Sequence, residues 1–243
     1  MITKPNAIGT GVLAFGLMIA PLALVNVGEA GKEKKKDAAD WKLLFDGKSL
    51  TGWKKTNFGG EGEVNVKDGA VVMETGGDMT GITYAGKDFP RMDYEITFEG
   101  RKQKGNDFFC TSTFPVGDAF CSFVVGGWGG SVVGLSSIDF RDAVENDTTK
   151  IMPFKKDQWY RIKIRVTKDK IEAWIDNDKM VDFETKGKKL TIRGECEACK
   201  PFGIATWRTE GAVRDIRVRL LTAADKKKQK LTTEAQSTQR NAE

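Results

Sequence analysis

The sequence predicts an all-β protein, a β-sandwich of two antiparallel sheets. Between Asp40 and Leu221, short runs alternate apolar and polar residues, and turn signals recur about every eight to twelve residues. No stretch sustains a helical period. A single sheet cannot bury its apolar face, so two sheets must pack face to face.

In chain order, Trp41–Phe45 reads as an edge strand, and Asp46-Gly47-Lys48 turns into Leu50-Thr51-Gly52-Trp53. Glu63–Val66 and Ala70–Glu74 flank Lys67-Asp68-Gly69, where Asp-Gly signals a hairpin. Tyr94, Ile96 and Phe98 alternate with Glu95, Thr97 and Glu99, giving one apolar and one wet face. Asp107–Phe114 and Ala119–Val125 lead into a glycine-rich turn around Trp128, a third short run and the polar patch Asp139–Asp147. Ile162, Ile164 and Val166 alternate with Arg161, Lys163 and Arg165. After Thr167-Lys168-Asp169-Lys170, Ile171, Ala173 and Ile175 alternate with Glu172, Trp174 and Asp176. Asp176-Asn177-Asp178-Lys179 turns into Met180–Glu184, and Phe202–Trp207 and Val213–Leu220 close the series.

A chain of 243 residues suits one large all-β domain or two small ones. Residues 1–30 read as a signal peptide. Lys4 is a short positive region, Ala7 to Val27 is apolar, and Gly28-Glu29-Ala30 puts small residues where a peptidase cuts; an uncleaved anchor is the other reading. The protein is therefore expected to be secreted, periplasmic or held at the cell surface, without a membrane span once the leader is cleaved. Residues 31–39 form a charged linker, 40–221 the domain, and 222–243 a polar tail expected to be disordered. Linker and tail contribute +2 each to the net charge of +5, so the body carries only +1. That argues against nucleic acid as a partner, which needs a concentrated basic face.

The sequence contains no histidine, which excludes His acid/base chemistry and His metal ligation. Four cysteines behind a leader are expected to pair. A four-residue turn Phe114-Pro115-Val116-Gly117 places Thr113 opposite Asp118, and hence Cys110 opposite Cys121, within disulfide reach. Cys196 and Cys199 would then form a local bridge pinning a loop. A zinc site would need all four thiols, and a thioredoxin-like role would need a βαβ context.

The segment Asn106–Asp147 is where a site is expected, because polar groups just past strand ends commonly carry function. Its acids are Asp107, Asp139, Asp142, Glu145 and Asp147. Trp128, Trp174 and Trp207 are candidate sugar-stacking surfaces, while Trp41, Trp53 and Trp159 read as packing residues. No cofactor is expected, although Asp139, Glu145, Asn146 and Asp147 could offer oxygens to Ca²⁺.

Leu44-Phe45-Asp46-Gly47-Lys48-Ser49-Leu50-Thr51-Gly52-Trp53 resembles the opening of the 3-keto-disaccharide hydrolase-like domain family, common in secreted bacterial proteins of the planctomycete type. The stretches Phe89–Arg101, Asp157–Glu184 and Pro201–Leu221 are similar to later parts of that pattern. The chain departs from the pattern at Gly105–Cys110, at Cys121–Val125 and at Ala205-Thr206-Trp207. The resemblance implies a concanavalin-like, laminin-G-like jelly roll and hydrolysis of glycosides that carry a 3-keto group.

On this reading the partner is a carbohydrate or glycoside. Asp107 and Asp139 are the acid/base candidates, and Arg141 and Arg208 would steady an oxyanion or hydroxyls. Asn106, Trp128, Ser136, Glu145 and Trp207 would bind substrate. The alternatives are a non-catalytic carbohydrate-binding or adhesion module on the same fold, and a cell-surface structural protein.

Overall fold

The structure, a computed structural model, describes residues 41–227. The expected leader and linker, and the expected tail beyond Lys227, lie outside the described residues. The strands are β1 (Lys42–Leu43), β2 (Trp53–Lys55), β3 (Val64–Lys67), β4 (Ala70–Met73), β5 (Met79–Tyr84), β6 (Tyr94–Lys104), β7 (Thr111–Val116) and β8 (Ala119–Gly126). They continue with β9 (Val132–Ser136), β10 (Lys150–Ile151), β11 (Trp159–Val166), β12 (Lys170–Ile175), β13 (Asp178–Glu184), β14 (Gly203–Trp207) and β15 (Glu210–Leu220).

They form two antiparallel sheets, making a concanavalin-like jelly-roll sandwich. One sheet runs β13-β12-β11-β6-β15-β4-β3, with β1 also on β15; the other runs β10-β9-β8-β7-β14-β5-β2. The alternation read from the sequence sets which side chains meet between them. Tyr94, Ile96, Phe98, Ile162, Ile164 and Val166 face Phe114, Phe123, Val125, Leu135 and Ile204, all essentially fully buried. Burying each is worth about 1.5–3 kcal/mol relative to leaving it exposed. Phe89 stacks on Phe202 at 4.7 Å near Trp53 and Tyr84. Elsewhere in the core Phe154 meets both Phe109 and Tyr160 edge-on at 5.1 Å. Trp53, expected to pack, is buried and donates its indole N–H to the Leu44 carbonyl at 2.8 Å.

The outer face of the eight-stranded sheet is a charge lattice. Buried Glu95 is paired with Arg165 and Arg219, and Glu172 with Lys179. Trp174 lies in this lattice with the Lys163 ammonium 3.7 Å from its ring centre, on the other sheet from Trp207. Trp159 is likewise covered, by Arg101 and Arg214.

The hairpin register differs from the expected one. Pro115 is not in the turn but inside β7, paired with Phe120, and the turn is Gly117-Asp118, with φ +59 at Gly117. Pairing of β14 to β7 spans only Thr111 to Thr113, so the ladder does not ask Pro115 for the N–H it lacks. Cys121 therefore opposes Phe114 rather than Cys110. Cys110–Cys121 is not a disulfide, and neither is Cys196–Cys199: all four cysteines are buried free thiols. The segment from Thr222 starts with a reciprocal cap. The Thr222 N–H donates to Asp225 at 2.9 Å, the Asp225 N–H donates to the Thr222 hydroxyl at 3.1 Å, and Arg219 holds Asp225 from the sheet.

Candidate functional site

The seven-stranded sheet carries hydroxyls on its outer face. Thr111, Thr113, Ser122 and Ser136 project outward because their neighbours Phe114, Phe123, Val125 and Leu135 occupy the core. Two segments fold over that face. The Ser137 N–H donates to the Thr191 carbonyl at 2.8 Å, Thr191 returns the bond at 3.1 Å, and the Asp139 N–H donates to Lys189 at 2.8 Å. This ribbon leads into a 3-10 turn, Gly194–Cys199, seated on β5 and β14. Only glycine fits beneath it at 203, where a β-carbon would come 2.8 Å from that of Cys199. The Thr83 hydroxyl donates to the Ala198 carbonyl at 2.9 Å and fastens the turn.

A cavity of about 220 Å³ remains between this lid and the loops at Asp107 and Trp128. The sheet supplies Thr111, Ser122, Val124, Ser136 and Trp207 to its walls, and the lid supplies Arg193, Glu195 and Cys196. Asp107, Phe108 and Trp128 close the third side. The volume lies below the roughly 300–1,000 Å³ of sites for drug-sized ligands, and suits a single small ring.

Each wall is fixed by specific bonds. The Asp107 Oδ1 accepts the Phe108 N–H at 2.8 Å and its Oδ2 the Gly129 N–H at 3.3 Å, while its own N–H donates to the Thr209 hydroxyl. Asp107 thereby holds the turn that carries Trp128. Trp128 has φ +46, a left-handed conformation costly for a residue with a β-carbon, and the residue is 40% exposed. Gly130 admits the Asn106 amide, which a β-carbon there would meet at 2.5 Å. Trp207 is held by its N–H on the Phe108 carbonyl at 2.9 Å, and the two rings lie 6.2 Å apart.

On the lid, the Arg193 Nε donates to Glu195 Oε1 at 2.5 Å and its Nη1 pairs with Asp142. Asp142 also accepts the hydroxyls of Ser136 at 3.1 Å and Ser137 at 2.8 Å. Burial, and then the Glu195 charge, push the Cys196 thiol up to about 11, so this wall presents a neutral thiol.

Of the residues expected from the sequence, Asp107, Trp128, Ser136 and Trp207 meet in the cavity. Asn106 lies just behind it at Gly130. Asp139 does not line it: its carboxylate accepts the Lys189 N–H at 2.9 Å and pairs with Lys188 at 3.2 Å, and these contacts lower its pKa. Arg141 and Glu145 are exposed outside the lining, and Arg208 is engaged with Asp78 at 2.6 Å. Asn146 donates to the carbonyls of Leu135, Arg141 and Asp142, bracing the loop rather than offering oxygens outward. Among the described residues no three His, Cys, Asp or Glu side chains converge as a metal site. Arg193 and Glu195 escaped the sequence reading. The available signal was a charged pair around Gly194 in a stretch between strands.

The fold defines the class, an antiparallel two-sheet jelly roll. The chain belongs to the 3-keto-alpha-glucoside-1,2-lyase-like domain family, whose profile matches residues 40–219. No curated protein matches it. Among solved structures it is similar to Crh5 transglycosylase in complex with NAG, at 14% identity and a TM-score of 0.50 over 76% of this chain and 85% of that one. It is also similar to the carbohydrate-binding module CBM66 from Bacillus subtilis, at 11% identity and 0.48 over 69% and 95%. A third is a laminarinase from Flavobacterium sp. UMI-01, at 15% identity and 0.46 over 74% and 98%.

Proposed function

We propose that the cleft binds the 3-keto-glucosyl end of an α-glucoside and cleaves its glycosidic bond by elimination. The observation that carries this reading is that two indoles, Trp128 and Trp207, and the Arg193–Glu195 pair line one ring-sized cavity. Indole faces take the C–H groups of a sugar ring, and the hydroxyls of Thr111, Ser122 and Ser136 match its oxygens.

A ketone at C3 acidifies the C2 proton. Glu195, with one oxygen on Arg193 and the other turned to general-base work, takes that proton. The electron pair forms the C1–C2 double bond as the C1–O bond breaks, and the departing oxygen receives the proton Glu195 took. Arg193 offsets the negative charge that gathers on the C3 oxygen. Water adding across the new double bond would complete a net hydrolysis. Asp107 positions the Trp128 wall through its two backbone amides.

A second reading, a binding module without turnover, draws on the same engagement of Asp107, which leaves only one acid in the cavity uncommitted to backbone. Incubation with a 3-keto α-glucoside and with its parent glucoside separates the two. The enzyme reading predicts an ultraviolet-absorbing enone from the keto sugar alone, whereas the module binds both sugars and cleaves neither.

A further inference from the structure

The ribbon that forms the cavity's lid continues outward to a tip. Ile138 and Arg141 exchange backbone bonds at 2.9 and 2.8 Å, closing a two-residue turn, Asp139-Phe140. Both turn residues have positive φ, +49 and +65. This turn geometry favours Asn-Gly, and a phenylalanine in its second position carries a conformational cost. The fold gains little in return: Phe140 is 70% exposed and packs in no core cluster. The Lys189 ammonium lies 4.3 Å from the ring centre, and most of the side chain is in solvent. Strain held at an exposed aromatic that does not serve packing points to a contact outside the chain.

The charge around the ring shows what kind. Arg141, Lys188 and Lys189 are exposed beside it. The one acid at the tip, Asp139, is already saturated by Lys188 and the Lys189 N–H. The tip is thus an exposed aromatic ring with a cationic surplus. It lies on the ribbon that carries the cavity wall, roughly 10–13 Å along it from Ser136 at the rise per residue of a strand.

We propose that this tip is an outer subsite that stacks an acidic sugar residue on Phe140 and holds its carboxylate with Lys189 and Arg141. The preferred ligand would be an oligosaccharide with a glucosyl end in the cavity and a uronic acid further along. This rests on the reading of the cavity as a sugar site.

The test uses two α-glucosyl-ended trisaccharides without a 3-keto group, so that no bond is cleaved. They differ only in whether the third residue is galacturonate or galactose. Calorimetry on the wild-type chain at low salt is expected to show about tenfold tighter binding of the acidic one, a difference of roughly 1.4 kcal/mol. Lys189→Gln and added salt should erase that preference, and Phe140→Gly should weaken the acidic trisaccharide while leaving methyl α-glucoside binding unchanged. Equal affinity for the two trisaccharides, with both bound, overturns the subsite and leaves the cavity reading standing. Binding of neither overturns both. Phe140→Gly leaving the acidic trisaccharide unaffected overturns the stacking role.

Discussion

Arg193 and Asp142, 51 positions apart, are joined directly, guanidinium to carboxylate. The pair ties the lid to the loop after β9, and through Asp142 it reaches the hydroxyls of Ser136 and Ser137. The lid acid Glu195 is oriented by the same guanidinium. Both partners are partly exposed, at 45% and 24%, so solvent screens their attraction. A double-mutant cycle of Arg193→Ala and Asp142→Ala, followed by urea unfolding, is expected to give a coupling of only about 0.2–1 kcal/mol. Sugar affinity should fall in both single variants, because each releases the lid.

Phe140 gives a signed stability test. Phe140→Gly is expected to be more stable than Phe140→Ala by about 0.5–1 kcal/mol, since alanine keeps the left-handed cost and glycine does not. Glycine's greater freedom in the unfolded chain offsets part of the gain. Urea midpoints of the two variants check the order, and alanine proving the more stable would contradict the turn geometry.

Glu61 sets a pH dependence. Its carboxylate accepts the N–H groups of Phe58 and Gly59 at 3.0 Å and of Gly60 at 3.2 Å. Backbone bonds, led by its own amide and those of Gly60 and Phe58, lower its pKa from 4.5 to about 2. The folded state thus binds this proton less readily than the unfolded chain. The stabilisation is complete above the unfolded value and is lost as pH falls from about 4.5 to about 2. Glu61→Gln should therefore lose less stability than the wild type across that window, as read by unfolding at a series of pH values.

The thiols provide a chemical check. Burial pushes Cys121 up to about 12 and Cys196 up to about 11, and it raises Cys110 and Cys199 as well. Iodoacetamide at pH 8 is expected to leave the folded protein unlabelled and to label all four cysteines after unfolding without reductant. Failure to label the unfolded chain would show disulfides after all.

What the sequence disclosed follows the physics of alternation. Tyr94–Phe98 and Ile162–Val166 each put one apolar face into the core, so their period of two fixes both strand and orientation. β5 was not legible, because all six of its residues are buried and no alternation shows. The β7–β8 register departs from the one the sequence suggests because a proline normally marks a turn, and nothing local reveals that β14 pairs only with the part of β7 before Pro115. The same limit applies to the site. Asp107, Trp128, Ser136 and Trp207 sit on or beside strands that could be read. Arg193 and Glu195 enter from a lid whose placement depends on the Ser137–Thr191 ribbon and on the space above Gly203. Asp139, in a promising place along the chain, is turned away by its bonds to Lys188 and Lys189.

The most direct measurement compares wild type with Glu195→Gln on a 3-keto α-glucoside, following enone release and, separately, binding of the parent glucoside. The account predicts a rate loss on the order of 10²–10⁴-fold, the usual share of a general base, with parent-glucoside affinity nearly unchanged. Turnover at the wild-type rate in Glu195→Gln would contradict it.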